Sequence, residues 1–268
     1  MRYTSLMRCS RLGILSALAF LPAFAQVQLG RIQDKIDHGN GTAESTNWSG
    51  YAALGSSFNS AEGSWIVPAA NCNGVAAQRY AAFWVGIDGY NSSTVEQTGT
   101  MTVCIGKTPS YYAWYEFYPK AMVEVTSVRV TPGDRISASV VYNSTTQEFT
   151  VTITDQTTGR SFNTSSKVSG ADRSSAEWIA EAPCCTHSGG ILPLPNFGTA
   201  SFGEDSTAIT GTNFATDSAN SGSIGSFLPV NWIEINKTGT SSSPQISTCS
   251  ALSSDGTSFT CTWGKPPA

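Results

Sequence analysis

Few residues in this 268-residue chain are suited to acid–base chemistry, and those few sit in strand-like stretches. In "AEWIAE", residues 176 to 181, strand alternation puts Glu177, Ile179 and Glu181 on one face and Trp178 and Ala180 on the other. A carboxyl turned inward is costly unless it is hydrogen-bonded or protonated, and desolvation raises its pKa toward a range useful for proton transfer. The competing reading is a solvated strand face on which both carboxylates meet water. In "STVEQTGT", residues 93 to 100, Val95 and Gln97 share a face, so an amide stands where an apolar side chain is usual. Its N–H can stabilise an oxyanion and its carbonyl can orient a water, without adding charge. Alone, such a glutamine is equally a satisfied polar residue at a strand end.

Other chemistries lack their residues. The only histidines are His38 and His187, far apart in sequence, and there is no G-x-S-x-G elbow and no pair of D-[ST]-G motifs. Serine-triad and two-aspartate hydrolysis are therefore unsupported. No spacing resembles a zinc motif, so neither a metal nor a cofactor is expected. An enzyme built on this chain must work with carboxylates, amides and aromatic residues.

The elements that must hold these groups are strands. Short runs rich in Val, Ile, Thr, Tyr and Trp, such as "YAAFWVGI", "SYYAWYEFYP", "VEVTSVRV" and "NWIEIN", are separated by Gly, Asn, Asp and Ser, and helical periodicity is almost absent. Within "RISASVVYNSTTQEFTVTITDQTTGRSF" the alternation is clean and "NSTTQ" and "DQTTGR" read as turns, which predicts an antiparallel meander. The expected fold is all-β, a jelly-roll-like β-sandwich of two antiparallel sheets, with a closed barrel as the alternative.

The N-terminus reads as an export signal over residues 1–25. Arg2, Arg8 and Arg11 form a basic region, "LGILSALAFLPAF" an apolar one, and "AFA" before Gln26 a small-residue cleavage site. Residues 26–44 read as a charged leader or pro-segment, and 45–268 as one domain. The expected location is extracellular, or periplasmic in a Gram-negative source. Removing the signal takes away three of the 15 basic residues and none of the 19 acidic ones, leaving a surface poorly matched to nucleic acid or anionic lipid. A monomer is expected.

Six cysteines remain after the signal, an even number that suits disulfides in an exported chain. Cys249 and Cys261 flank a turn at Asp255-Gly256 and are expected to bridge a hairpin. The other four allow three pairings; we favour Cys72 with Cys104, which leaves Cys184 and Cys185 as a vicinal pair or as two separate thiols. Sequons at Asn47, Asn91, Asn143, Asn163 and Asn236 discriminate nothing.

Six segments occur in the order and approximate spacing of a known family: "NWSGY" (47 to 51), "FWVGIDG" (83 to 89), "QTG" (97 to 99), "YAWYEFYP" (112 to 119), "AEWIAEAP" (176 to 183) and "FGTASF" (197 to 202). The chain from about residue 45 onward resembles the eqolisins, the glutamic peptidases. That resemblance implies an acid-acting endopeptidase on a two-sheet sandwich, with protein or peptide substrates and a Gln/Glu dyad. The family's "QTG" glutamine corresponds to Gln97 and the glutamate closing the "AEWIAE" strand to Glu181. By the same resemblance Trp48, Trp84, Asp88, Trp114 and Glu116 line the cleft or support the dyad, although the three tryptophans could be core residues and Asp88 a turn residue. The dyad is expected within reach of one shared water in an open cleft. Glu96 replaces the usual Leu before the glutamine and should point away from it. Tyr112 replaces a frequent Asp, and "CCTHSGG" after "EAP" is unusual. Two other functions compete: a carbohydrate-binding sandwich with exposed aromatics, and a glycoside hydrolase using Glu116 and Glu181 on neighbouring strands.

Overall fold

A computed structural model describes residues 27–73, 78–185, 190–227 and 232–265. The expected export signal at 1–25, His187 and the Cys185 side chain lie outside what is described. Along the chain, β1 (Val27–Gln28), β2 (Ile36–Asp37) and β3 (Thr42–Ser45) precede the long strands β4 (Trp48–Leu54), β5 (Ser60–Ile66), β6 (Arg79–Ile87), β7 (Val95–Ile105) and β8 (Thr108–Tyr118). β9 (Val123–Val125), β10 (Arg135–Asn143), β11 (Glu148–Asp155), β12 (Arg160–Ser166), β13 (Ser175–Glu181) and β14 (Cys184–Cys185) follow. The last group is β15 (Thr199–Phe202), β16 (Phe214–Thr216), β17 (Ser221–Ser223), β18 (Trp232–Lys237), β19 (Ile246–Cys249) and β20 (Phe259–Gly264).

The predicted meander is β10, β11 and β12, and its alternation is what buries it: Phe149, Val151 and Ile153 face inward while the threonines between them are half-exposed. Turn chemistry closes each hairpin. The Asn143 side chain accepts from the backbone amide of Thr145, the Asp155 side chain accepts from that of Thr157, and Gly159 takes a left-handed φ of 71°.

Strand pairing forms two sheets. One runs β3–β18–β4–β13–β6–β7–β8–β9, antiparallel except at β3–β18. The other runs β19–β20–β15–β5–β10–β11–β12, with the β16–β17 hairpin sharing the β5 edge beside β15. The pair Lys237↔Ser247 joins β18 to β19, so hydrogen bonding continues round one side. The result is a sandwich closed along one edge, which explains why sandwich and barrel patterns looked alike in sequence.

Between the sheets lies one core, with Phe83, Val85 and Trp178 from the first sheet and Trp65, Val140, Ile153 and Phe202 from the second. Two indoles tie the layers together: Trp65 Nε1 donates to Thr100 Oγ1 at 2.9 Å and Trp178 Nε1 to the Glu62 carbonyl at 2.8 Å. Both favoured disulfides, Cys72–Cys104 and Cys249–Cys261, are present. The outer face of the first sheet carries a second apolar cluster of Trp48, Trp84, Trp114, Met101 and Ile179. Leu29 from the leader joins it fully buried, so residues 27 onward pack onto the domain instead of trailing from it.

Candidate active site

Register on the first sheet gathers the chemically able residues into rows. Glu177 lies opposite Gly86, Gly86 opposite Gln97, and Gln97 opposite Glu116. One step along, Ile179, Trp84, Gly99 and Trp114 form the next row, and Glu181, Ala82, Met101 and Tyr112 the third. Because side chains alternate, all of these share the outer face with Trp48, which pairs with Glu181 from β4. Gly99 is what the row needs: a Cβ there would meet the Phe83 carbonyl at 2.2 Å and Trp84 Cβ at 2.6 Å. Its absence lets the Trp84 indole lie close to the sheet and turn its N–H toward β13.

The solvated reading of "AEWIAE" does not hold: Glu177 and Glu181 are both buried. Glu181 Oε2 accepts from Trp84 Nε1 at 2.9 Å and its Oε1 from Asn47 Nδ2 at 3.4 Å. The Trp48 indole and the Gly30 amide are near enough to the same carboxyl to favour its charged form, although Trp48 Nε1 makes no hydrogen bond. Burial pushes the Glu181 pKa well above the carboxylate range, and these donors, Trp84 first, pull it only part of the way back. Trp48 and Trp84 pack edge to face with centroids 5.0 Å apart, so each indole fixes the other.

Gln97 is also fully buried, and its Nε2 donates to Glu116 Oε2 at 2.7 Å. Burial and then the charge of Glu181 push the Glu116 pKa well up, while the Gln97 bond lowers it. A carboxyl so placed prefers its proton whenever Glu181 is ionised. The expectation that Glu116 and Glu181 stand on neighbouring strands is corrected: β6 and β7 lie between β8 and β13. Gln97, not Glu181, is the direct cross-strand partner of Glu116.

The remaining expected residues divide. Trp114 is buried in the row of Gly99 and Trp84. Asp88 takes a left-handed φ of 72°, and its carboxylate accepts from the backbone amides of Arg173 and Ser174 at 2.7 and 2.9 Å. It is a turn residue that anchors the lead-in to β13, not a partner of Gln97 or Glu181. Glu96 points away from Gln97 as alternation requires, yet it is fully buried and its pKa is pushed up to about 9, first by burial and then by Asp88. Tyr112 is half-buried at the far end of the Glu181 row. Asn47, read from sequence only as a sequon, precedes Trp48 in "NWSGY" and belongs to the site. Its carboxamide donates to Glu181 and also to the Arg31 carbonyl at 3.2 Å, and it accepts from the Gln33 amide at 2.8 Å. Buried at 1 % exposure, it is also inaccessible as a sequon in the folded chain.

The open cleft expected over Gln97 and Glu181 is not what is found. Residues 27–33 cross this face, and a groove of about 600 Å³ runs beside them, lined by Gln28 to Lys35, Gly89 to Ser92, Tyr118 and Cys184. Glu181 lies beside Leu29 and Gly30 of that segment, and Gln97 is likewise buried. Among the described residues no group of three or more His, Cys, Asp or Glu side chains is placed to hold a metal.

Comparison with known proteins follows the same residues. The model of the Peptidase A4 family matches residues 46–263. Aspergillopepsin-2 of Aspergillus niger is 30% identical over 166 residues, covering 53% of this chain and 58% of that protein. Scytalidopepsin B of Scytalidium lignicola is 36% identical over 144 residues, covering 52% of each. The chain thus spans about half the length of the curated relatives it matches. Among solved structures, scytalido-glutamic peptidase with a transition state analog inhibitor superimposes with a TM-score of 0.65 at 25% identity, covering 82% of this chain and 98% of that one. SCP-B, described as a member of the eqolisin family in complex with the tripeptide Ala-Ile-His, superimposes with a TM-score of 0.60 at 25% identity over 82% of this chain and 98% of that one.

Proposed function

Since the chain belongs to the Peptidase A4, or eqolisin, family, we propose that it is a glutamic endopeptidase that cleaves proteins and peptides at acidic pH with Gln97 and Glu181 as its catalytic dyad. With water and substrate admitted to the site, the Glu181 pKa raised by burial falls back toward the acidic range, and the ionised carboxylate takes a proton from a water as that water attacks the scissile carbonyl, then returns the proton to the leaving amine. Gln97 has two amide hydrogens; one is held by Glu116, leaving the other to stabilise the tetrahedral oxyanion. No acyl-enzyme forms. Glu116 acts as a positioning residue: kept protonated by burial and by Glu181, it fixes the amide without adding a second anion. Export is proposed from the signal-like residues 1–25 and suits the two disulfides. A monomeric state completes the reading.

The observation that supports this most directly is the one face of the first sheet that buries an amide held by a carboxyl and, two strands away, a carboxyl held by an indole N–H. The test is digestion of a denatured protein at pH 3 to 5 and at pH 7, with products identified by mass. Cleavage of peptide bonds confined to the acidic samples, without a burst of first product, is expected; a burst, or no cleavage of any protein at acidic pH, refutes the reading.

Trp84→Phe examines how the base is tuned. Loss of the 2.9 Å N–H bond removes the strongest influence holding the Glu181 pKa down, so the carboxyl should ionise at higher pH. The acidic limb of kcat/KM should move upward and the maximum fall by about ten- to a hundred-fold, roughly the worth of one hydrogen bond to a charged group. An unshifted limb would deny Trp84 this role.

A further inference from the structure

Away from the face of Gln97 and Glu181 lies a second pocket of about 350 Å³, lined by Asn71, Asn73, Arg79, Asn196, Trp263 and Lys265. Arg79 opens β6, and alternation groups it with Ala81 and Phe83 on the inner side of the first sheet, not with Ala82 and Trp84 on the outer one. Stretches distant in sequence build the walls. The Cys72–Cys104 disulfide holds Asn71 and Asn73 beside Arg79, because Cys104 is the cross-strand partner of Arg79. The Asn71 amide donates to the Asn196 carbonyl at 2.7 Å and the Trp263 amide to the Gly198 carbonyl at 2.8 Å, which brings the turn at 196–198 and the end of β20 to the same rim.

This pocket presents hydrogen-bond donors almost throughout. A guanidinium, an ammonium and an indole N–H donate and do not accept. The side-chain oxygens of Asn71 and Asn196 are taken by the backbone amides of Asn73 at 2.9 Å and Gly198 at 3.0 Å, so each carboxamide keeps its NH2 group for another partner. Arg79 Nε and Trp263 Nε1 are buried with no hydrogen-bond partner among the described residues, a costly state for two polar groups. No carboxylate lines the pocket, and no ion pair of the described residues involves Arg79 or Lys265, although the chain carries 19 acidic residues against 15 basic.

We propose that this pocket binds a tetrahedral oxyanion, a phosphate or sulfate group, with the Arg79 guanidinium as its forked anchor and Lys265 as the second charge. The volume holds more than a bare ion, so the group can be free or carried on a small molecule such as a sugar. Acidity favours the tetrahedral ions over carboxylates: carboxyl groups with ordinary pKa values of about 4 are partly protonated in acid, whereas phosphate keeps its first negative charge and sulfate stays ionised. The disulfide and the two backbone bonds hold the donors in place before any ligand arrives, which lowers the ordering cost of binding. None of the lining residues belongs to the rows of Gln97 and Glu181, so the site stands or falls independently of the peptidase reading.

The experiment titrates the full chain at acidic pH with inorganic phosphate, sulfate and glucose 6-phosphate by isothermal calorimetry, with sodium chloride of equal ionic strength as the blank. One saturable site per chain is expected, and the same anions should raise the melting temperature. Arg79→Gln should weaken binding by about ten- to a hundred-fold, the worth of a charge-assisted hydrogen bond. Lys265→Gln, at an exposed position where the fold is not at risk, should weaken it by about two- to five-fold. Arg79→Lys, which keeps the charge but loses the fork, should fall between wild type and Arg79→Gln. Tighter binding of glucose 6-phosphate than of phosphate supports the site with an esterified anion as its occupant; equal affinity supports it with the free ion. Heats no larger than those of chloride, affinity unchanged in both Arg79→Gln and Lys265→Gln, or acetate binding as well as sulfate overturns the proposal.

Discussion

Glu181→Gln should abolish acid proteolysis, lowering kcat/KM for a denatured protein by about a thousand-fold or more. The substitution is nearly isosteric and keeps an oxygen to accept from Trp84 Nε1, but an amide cannot take a proton from water or return one to the leaving amine. Gln97→Ala should cost about a hundred- to a thousand-fold, the usual worth of one oxyanion donor. The two variants differ in stability in a way that separates chemistry from collapse. Glu181→Gln replaces a buried carboxyl that has hydrogen-bond donors but no cationic partner among the described residues, and should be at least as stable as the wild type at neutral pH. Gln97→Ala takes the amide from Glu116 Oε2, whose Oε1 is already unpaired, and should lose about 1–3 kcal/mol in a denaturant titration. Persistent acid proteolysis in a folded Glu181→Gln chain would sink the mechanism. Activity of Gln97→Ala within a few-fold of wild type would remove the glutamine from it.

Stability should fall steeply as the pH rises from acidic toward neutral. Glu96, Glu116, Glu177 and Glu181 are each buried and have pKa values raised from the ordinary 4.5, chiefly by desolvation; Glu96 reaches about 9 and the others lie well above 4.5. Among the described residues no ion pair involves them; the ion pair found is His38 with Glu44 at 3.9 Å, on the surface. Above pH 4.5 the folded chain therefore holds protons that the unfolded chain has released, so stability is fully present below that pH and is lost as pH climbs toward the raised values. Each fully shifted carboxyl contributes about 1.4 kcal/mol of loss per pH unit until it ionises, with water entry lessening the total. Thermal melts should move down by about 10 °C or more between pH 4 and 7. Glu96→Gln, which lies on the face away from Gln97, should remove about one proton's worth of this slope and leave the acid activity within a few-fold of wild type. A melting temperature independent of pH between 4 and 7 would refute the buried-proton account.

How much of this was legible beforehand follows from which physics is local. Period-two alternation is a property of consecutive residues, so "AEWIAE" alone puts Glu177 and Glu181 on one face, and "TVEQ" puts Glu96 opposite Gln97. Turn chemistry is equally local, and the β10–β12 meander was readable from "NSTTQ" and "DQTTGR" for that reason. The even cysteine count and the hairpin around Asp255-Gly256 likewise carried the Cys249–Cys261 bridge.

Depth is not local. Whether the Glu177 and Glu181 face meets water or is buried depends on what packs over it, and here that includes Leu29 and Gly30, some 150 residues earlier in the chain. Asp88 reads the same in sequence as a site residue or a turn residue; only the approach of the Arg173 and Ser174 amides decides for the turn.

By itself, then, the sequence determined the strand class, the faces on which its amide and carboxyls stand, and the family. The tertiary structure decided which of those faces are adjacent, that Glu116 pairs with Gln97, that Asn47 links the leader to Glu181, and that the site is closed. Alternation is set within each strand by backbone geometry, whereas register and cover arise from contacts between residues far apart in the chain, which no local pattern encodes.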